Sequence, residues 1–347
     1  MNQDAKFHYS IIIPHHNLPS GLKVCLQSIP CRKDVQVVVV DDASDDDVVS
    51  VLKLYEKDFP NVQFVYSTTN GFGGKARNIG LHYALGKYVI FSDCDDFFTS
   101  VFNDVLDDYQ HSDIDLVFFK VNQINAESLT PTETPHHLNS YVDLWDSDPQ
   151  TSELHLRYMF GEPWCKMIKR SVIEDHRIRF DEVRINNDTT FSYLVGYYSK
   201  TVAVDKRAIY NYLIRSGSTS RQRDTNRFFI KIDVFGRSSL FFIKHNIPLR
   251  EERHYLALSG LLKHYDFTGF KKGFKQLESI GYKKPYLRKQ YALTMSYCKF
   301  LVPLWNVLFA PDLVIKAYCL YYWFVISIPR FVRYKILKKA NTELKRY

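Results

Sequence analysis

Residues Val35–Val40 read VQVVVV, and the next two are Asp41 and Asp42. Five valines in six positions favour an extended strand, because β-branched side chains restrict χ1 and pack well on a pleated surface. The run does not alternate with polar residues, so both faces of the strand need cover. A strand of that kind belongs to a parallel sheet whose crossovers are helices. The flanking sequence supplies both elements. Short apolar runs at His8–Ile13 (closed by Pro14), Val62–Tyr66, Tyr88–Phe91 and Leu116–Lys120 read as further strands. Helical spacing appears from Ser20, a candidate cap, to about Ile29 through Leu22, Cys25 and Leu26. It recurs in Asp45–Asp58 through Val48, Val51, Leu52 and Tyr55, and in Gly73–Leu85 through Ala76, Ile79, Gly80 and Tyr83. Strands alternating with helices predict an α/β chain with a mostly parallel sheet and helices on both faces. The polar stretch from about Val121 to Gln150, with Pro131, Pro135 and Pro149, reads as a long loop, and the pattern resumes from Leu154 through Tyr212.

Charge divides the chain more sharply than hydropathy does. Residues 1–220 hold 21 Lys and Arg against 30 Asp and Glu, a net −9. Residues 221–347 hold 25 against 8, a net +17, and suit a polyanionic partner. Hydrophobic residues at 46% and charged residues at 24% exclude a disordered chain. The six cysteines include no C-x-x-C pair, which excludes zinc-ribbon spacing and fits a reducing compartment. MNQDAKFHYS has no apolar stretch before Ile11, which argues against a secretory signal and for a cytoplasmic protein.

In open α/β sheets, ligands bind beyond the carboxyl ends of the strands. That rule singles out Pro14–Asn17, Asp41–Asp47 and Ser92–Asp96. Asp93, Asp95 and Asp96 repel one another unless a cation or donors lie among them, and carboxylates suit Mg²⁺ or Mn²⁺. The alternative is a solvated acidic loop with Asp96 as a helix cap. At Asp41–Asp47, Ser44 or Asp45 can cap the next helix. Capping does not account for Asp41 and Asp42, which sit inside the strand end and can accept hydrogen bonds from a base or a ribose.

In combination the motifs become specific. Ser10–Asn17 (SIIIPHHN), Val40–Asp45 (VDDASD), Gly73–Leu81 (GGKARNIGL) and Gly86–Asp96 (GKYVIFSDCDD) follow one another in order. Pro163–Lys166 (PWCK), Arg179-Phe180, Asn187–Phe191 (NDTTF) and Tyr212–Ser220 come after them. Over about residues 8–220 the chain resembles the family 2 glycosyltransferases, which have the GT-A (Rossmann-like) fold. The resemblance implies an inverting transfer of a sugar from a nucleotide-sugar, commonly a UDP-sugar, to a hydroxyl of a saccharide acceptor. It implies that Asp42 binds the nucleobase, with Pro14, His16 and Asn17 as the other wall, and that Asp93 lies near the ribose. Asp95 would hold a divalent metal, Mn²⁺ or Mg²⁺, that bridges the diphosphate, and Asp188 would be the general base. Trp164 and Lys166 match an acceptor-side position. Lys75, Arg77 and Arg215 are candidate nucleotide contacts, although Arg77 could instead pair with an acid and the loop around Arg215 could be a linker.

Two positions depart from the family pattern. His16 stands where an aromatic is common, and Asn187 stands where the family often has Glu before the base. Loss of a neighbouring anion would lower the pKa of Asp188. Asp188 alone could also be a helix N-cap, and Trp164 and Lys166 a core aromatic and a surface lysine.

The resemblance divides the chain into a catalytic domain at 1–220 and a helical, basic extension at 221–347. Within the domain, a nucleotide-sugar half spans about 1–120 and an acceptor half about 150–220. In the extension, the longest uncharged run, Ala317–Pro329, is too short to span a bilayer. Aromatics beside Arg330, Arg333, Lys335, Lys338 and Lys339 fit a helix lying on an anionic membrane surface. Residues 291–347 are therefore expected to hold the protein peripherally on the inner face of the cell membrane, facing a polyprenyl-linked saccharide acceptor. No nucleic-acid-binding signature accompanies the basic half. A non-catalytic GT-A scaffold or a nucleic-acid-binding protein are the rival readings.

Overall fold

The computed structural model describes residues 7–214, 225–249, 253–263, 267–285 and 287. The chain divides into two compact units, Met1–Gln222 and Arg223–Tyr347. The first is built on β1 (Tyr9–His15), α1 (Pro19–Ser28), β2 (Val35–Asp41), α2 (Asp46–Asp58), β3 (Val62–Tyr66), α3 (Phe72–Tyr83) and β4 (Tyr88–Phe91). There follow β5 (Phe97–Phe98), α4 (Phe102–Asp108), β6 (Leu116–Asn125), α5 (His137–Leu144) and α6 (Pro149–Tyr158). The unit closes with β7 (Lys166–Lys169), α7 (Arg170–Asp175), α8 (Thr189–Tyr198) and β8 (Val202–Ile214).

The valine run behaves as its composition demands. All seven residues of β2 are buried. Val37 and Val39 join a core with Leu22, Cys25, Leu52 and Tyr55 from α1 and α2. Val38 and Val40 point the other way, onto Ala76 of α3. Helices thus cover both faces, and each valine so buried contributes roughly 1.5–3 kcal/mol. The two polar residues of the central strands are satisfied internally. Ser10 Oγ donates to Gln36 Oε1 at 2.7 Å and accepts the Gly86 N–H at 2.8 Å.

The strand order is β3-β2-β1-β4-β7-β6-β8-β5. The pairs β1–β2, β1–β4, β2–β3 and β6–β8 are parallel, and β4–β7, β6–β7 and β5–β8 are antiparallel. The reversed β7 matters for function. Because it runs against β4, the chain entering it, residues 160–165, lies at the edge where β4 ends. The last residues of β8, parallel to β6, reach the same edge.

Three local expectations are corrected. Pro14 does not close β1, which continues through His15, whose carbonyl accepts the Asp42 N–H at 2.8 Å. Ser20 caps nothing; Pro19 opens α1, where its missing N–H costs no helical bond. The stretch Val121–Gln150 is not one long loop. β6 extends to Asn125, and α5 and α6 follow, started by His136 and Asp148, whose side chains accept from Leu138 N and Thr151 N. Pro149 stands at the first turn of α6, where a proline starts a helix rather than breaking one.

The second unit contains α9 (Thr225–Lys244), α10 (Arg253–Lys263) and α11 (Phe267–Ile280), around a core of Ile232, Leu258, Leu261, Phe270 and Leu277. A Cβ on Gly260 would lie 2.3 Å from the Phe228 ring, so glycine sets how closely α10 crosses α9. Among the described residues no helix is long and apolar enough to cross a membrane. The expected membrane-contact region, residues 291–347, lies outside the described residues.

Candidate active site

The ends of β1 and β2 are laced together before any ligand is considered. His15 and Asp41 are register partners. His15 Nδ1 donates to Asp41 Oδ1 at 2.8 Å, while its Nε2 accepts the Leu18 N–H at 3.2 Å, which fixes the tautomer. Ser44 donates to Asp41 from both its N–H (3.0 Å) and its hydroxyl (2.5 Å). Burial pushes the Asp41 carboxyl up, but the bonds from His15 and Ser44 outweigh it and hold the group below the usual carboxylate range. Asp45 occupies the N-cap position of α2 without a side-chain cap bond. Its carboxylate accepts from Asn17 Nδ2 at 3.0 Å, and its N–H donates to Asn17 Oδ1 at 2.9 Å. The capping expected of Ser44 or Asp45 is therefore replaced by bonds between loops. Asn17 and Ala43 take the left-handed conformation to make them (φ 50° and 57°).

Asp42 is buried, and its carboxylate accepts the Gly71 N–H at 2.9 and 3.1 Å; burial raises its pKa. Pro14 is half-buried beside it on β1, and His16 is exposed, with Asn70 Nδ2 at 3.4 Å from its ring. Lys75 Nζ donates to the Thr69 carbonyl (3.1 Å) and hydroxyl (2.5 Å).

The end of β4 is less settled. Carboxylate oxygens of Asp93, Asp95 and Asp96 lie within 4.8 Å of one another. Asp96 caps no helix, since β5 follows it directly. Its Oδ1 accepts the Leu213 N–H at 2.8 Å, but its buried Oδ2 has no hydrogen-bond partner. Burial, with Asp95 and Asp93 beside it, raises its pKa well above the carboxylate range. Three hard oxygen donors, one of them buried and orphaned, fit a divalent cation. The Asp93 N–H donates to Tyr210 Oη at 2.8 Å, so β8 fixes the turn.

Arg77 joins this cluster to the loop before α8. Its buried guanidinium donates to Asp93 Oδ1 at 2.5 Å and to Asn187 Oδ1 at 3.1 Å, and lies over the Phe180 ring at 5.4 Å. Asp93 is thus the acid expected as one of its partners. A Cβ on Gly74 would fall 2.0 Å from the Asp181 carbonyl, so α3 and the 181–188 loop require glycine at their contact. Asp188 follows in that loop, at the N-cap position of α8, and makes no side-chain cap bond. Burial and the charge of Glu162 push it up to about 6, against the pull of Arg77. The expected lowering of the base is thus reversed. The anion missing at position 187 is supplied by Glu162, from the segment entering β7.

Trp164 and Lys166 sit on that same segment. Trp164 is buried, stacked on Tyr210 and Tyr212 with centroids 5.4 Å from each. Lys166 is not a surface lysine. Its buried Nζ donates to Phe160 O (2.8 Å) and Ser192 Oγ (3.0 Å), and burial lowers it to about 7. Arg215 lies outside the described residues. The sequence motifs assign no role to His15 or Tyr212, although both lie in them, nor to Glu162 or Tyr210, which lie outside them. Register with Asp41 could have flagged His15; Glu162 has no local signature.

The Glycosyl transferase family 2 model matches residues 10–177. Over that segment, just under half of the chain, this protein is similar to the family 2 glycosyltransferases. It is 22% identical to EpsH of Bacillus subtilis, over 78% of this chain and 81% of EpsH. It is 28% identical to a poly(ribitol-phosphate) β-glucosyltransferase of Bacillus spizizenii, over 59% of this chain, and that match spans 32% of the relative's length. Among solved structures, S. aureus TarS 1-349 in complex with UDP-GlcNAc superposes with a TM-score of 0.58 at 19% identity, covering 92% of this chain and 90% of that one. The sheet is therefore of the GT-A kind, and carboxylates lie at the ends of β2 and β4.

Proposed function

We propose that the protein is an inverting glycosyltransferase that moves a sugar from a UDP-sugar to a hydroxyl of a saccharide acceptor in polysaccharide biosynthesis. The observation that carries this reading is the Asp93–Asp95–Asp96 cluster with its orphaned Asp96 oxygen, joined through Arg77 to the loop bearing Asp188. The relatives' named activities and the UDP-GlcNAc held by TarS support the donor class. In this reading Pro14, His16, Asn17 and Asp42 receive the base, Asp93 the ribose side, and Lys75 and Arg215 the nucleotide. Asp95, with its two neighbours, holds Mn²⁺ or Mg²⁺. A divalent ion bound there neutralises charge on the departing diphosphate. Asp188 takes the proton of the acceptor hydroxyl as that oxygen bonds to the anomeric carbon and the sugar–phosphate bond breaks. Attack opposite the leaving group inverts the centre. A base held near pKa 6 is better matched to that proton than an ordinary carboxylate. Arg77 acts within the protein, holding Asp93 and Asn187 in mutual register.

Residues 291–347 complete the proposal as a contact with anionic lipid on the cytoplasmic face, which would bring a polyprenyl-linked acceptor within reach. Flotation with anionic liposomes tests it: a chain lacking 291–347 should stay in the aqueous fraction. The donor reading is tested by calorimetric titration with UDP, with and without Mn²⁺. Metal-dependent binding that EDTA abolishes and Asp95→Ala lacks is the expected result. Silence with UDP, GDP, dTDP and CDP alike would overturn the reading.

A further inference from the structure

Trp164 and Lys166 are buried and occupied, so they leave the acceptor without an evident handle. The neighbouring surface supplies one. Donor and acceptor atoms of His136, His137 and Glu162 lie within 4.8 Å of one another, and all three side chains reach solvent. The His136 ring stands edge-on to Trp164 at 5.2 Å and to Tyr212 at 5.9 Å. The loop that carries it is tied to β6, with Gln123 Nε2 donating to the Thr134 carbonyl at 2.9 Å and Asn139 Nδ2 to the Val121 carbonyl at 2.9 Å. The residue before Glu162 touches the first turn of α8: the Gly161 carbonyl accepts from Ser192 Oγ at 2.5 Å, and the Ser192 N–H donates to the Asp188 carbonyl at 2.9 Å, so this strip adjoins the candidate base.

We propose that His136, His137 and Glu162, backed by Trp164 and Tyr212, form a subsite for an uncharged polyhydroxylated acceptor unit that presents one hydroxyl to Asp188. The proposal rests on the glycosyl-transfer reading above.

The chemistry selects the ligand. His136 Nδ1 accepts the Leu138 N–H at 3.2 Å, so in the neutral ring Nε2 carries the hydrogen and is a donor. Burial keeps that ring neutral, lowering it to about 4. A donor at Nε2 disfavours a metal between the imidazoles, which would need that lone pair. A carboxylate can accept from two adjacent hydroxyls, and the imidazoles answer hydroxyl oxygens and protons. Glu162, Asp188 and the strand-end carboxylates make the field anionic. A phosphate or carboxylate on the contacted unit would meet repulsion from Glu162 and Asp188, and among the described residues Lys166 and Arg77 already donate within the protein.

The test uses the full chain with UDP and Mg²⁺ present, and saturation-transfer NMR with methyl β-D-galactopyranoside, ribitol and ribitol 5-phosphate as probes. A neutral probe should bind, and ribitol 5-phosphate should bind no more tightly than ribitol. Glu162→Gln should weaken the neutral probe about tenfold, the worth of a hydrogen bond to a charged group. His136→Ala could unseat α5, so His136→Asn is the second variant. Asn is a favoured N-cap that keeps the bond to Leu138 N while removing the Nε2 donor. Both variants should bind UDP as the parent does. The proposal is overturned if no neutral probe binds, if both variants leave the signal unchanged, or if the phosphate probe wins. It is also overturned if Zn²⁺ alone binds and is lost in His136→Asn. Failure of the parent to bind UDP would instead bring down the glycosyl-transfer reading.

Discussion

At the end of β2, Asp41 gives its oxygens to His15 and Ser44, and Asp42 gives its own to Gly71. At the end of β4, Asp93, Asp95 and Asp96 crowd together, and one buried oxygen is left with nothing. The two segments read alike as letters, an acid-rich turn after an apolar strand. Physically they differ in who answers the charge. The protein answers it at β2, so those acids hold loops in place. At β4 the protein answers Asp93 through Arg77, and the buried Asp96 Oδ2 is left without a hydrogen bond. Asp188 belongs with the second kind, since it occupies a cap position without capping.

The largest effect that would test this contrast is at Asp95. Asp95→Ala should cut transfer by about 10³-fold or more, several kcal/mol of lost charge stabilisation, and abolish Mn²⁺-dependent UDP binding. Asp41→Asn should keep that metal dependence; the opposite pattern in calorimetry would dissolve the contrast. Asp188→Asn should lower kcat by about 10²–10⁴-fold with UDP affinity intact, as expected for a lost base. In the parent enzyme the base must be ionised, so activity should fall as pH drops through about 6. An acid limb near pH 4 in the rate profile would remove that assignment.

Smaller effects should appear in stability. Mn²⁺ at about a hundred times its Kd should stabilise the parent by about 2.7 kcal/mol. Asp96→Asn should leave the metal-free melting temperature nearly unchanged, because burial already favours the neutral acid, and lose most of the Mn²⁺ increment. Equal shifts in both proteins would show that Asp96 is indifferent to the ion. The smallest effect is expected at Asp41. Its pKa is depressed on folding, so its contribution is present above its unfolded value of about 3.9 and is lost as pH falls through the folded one. Urea midpoints between pH 6 and 3 should therefore drop more steeply for the parent than for Asp41→Asn, by about 1–2 kcal/mol.

Much of the fold was legible because its signals are local. The valine run reports burial on both faces, and α2 and α3 carry their period in a dozen residues. The α5–α6 region was not legible, because short polar helices have weak periodicity and their prolines look like breakers. The site was legible where the motif is contiguous, as in Asp93–Asp96. Glu162 lies 26 residues before Asp188 in the chain, and only the reversal of β7 brings its segment to the edge where β4 ends. The burial of Lys166 was hidden for the same reason: no neighbour in sequence announces that its amine will be enclosed by Phe160 and Ser192.

Arg77 has a bearing on how portable these halves are. Its two bonds, to Asp93 and to Asn187, cross from the strand-end turn to the loop of the base. A chimera that imports the Asp188 loop from a relative with a carboxylate at position 187 would place two anions on one guanidinium. A chimera that imports α3 without its arginine would leave Asp93 unanswered. A working exchange between the motifs is therefore expected to need Arg77, Asp93 and Asn187 moved together.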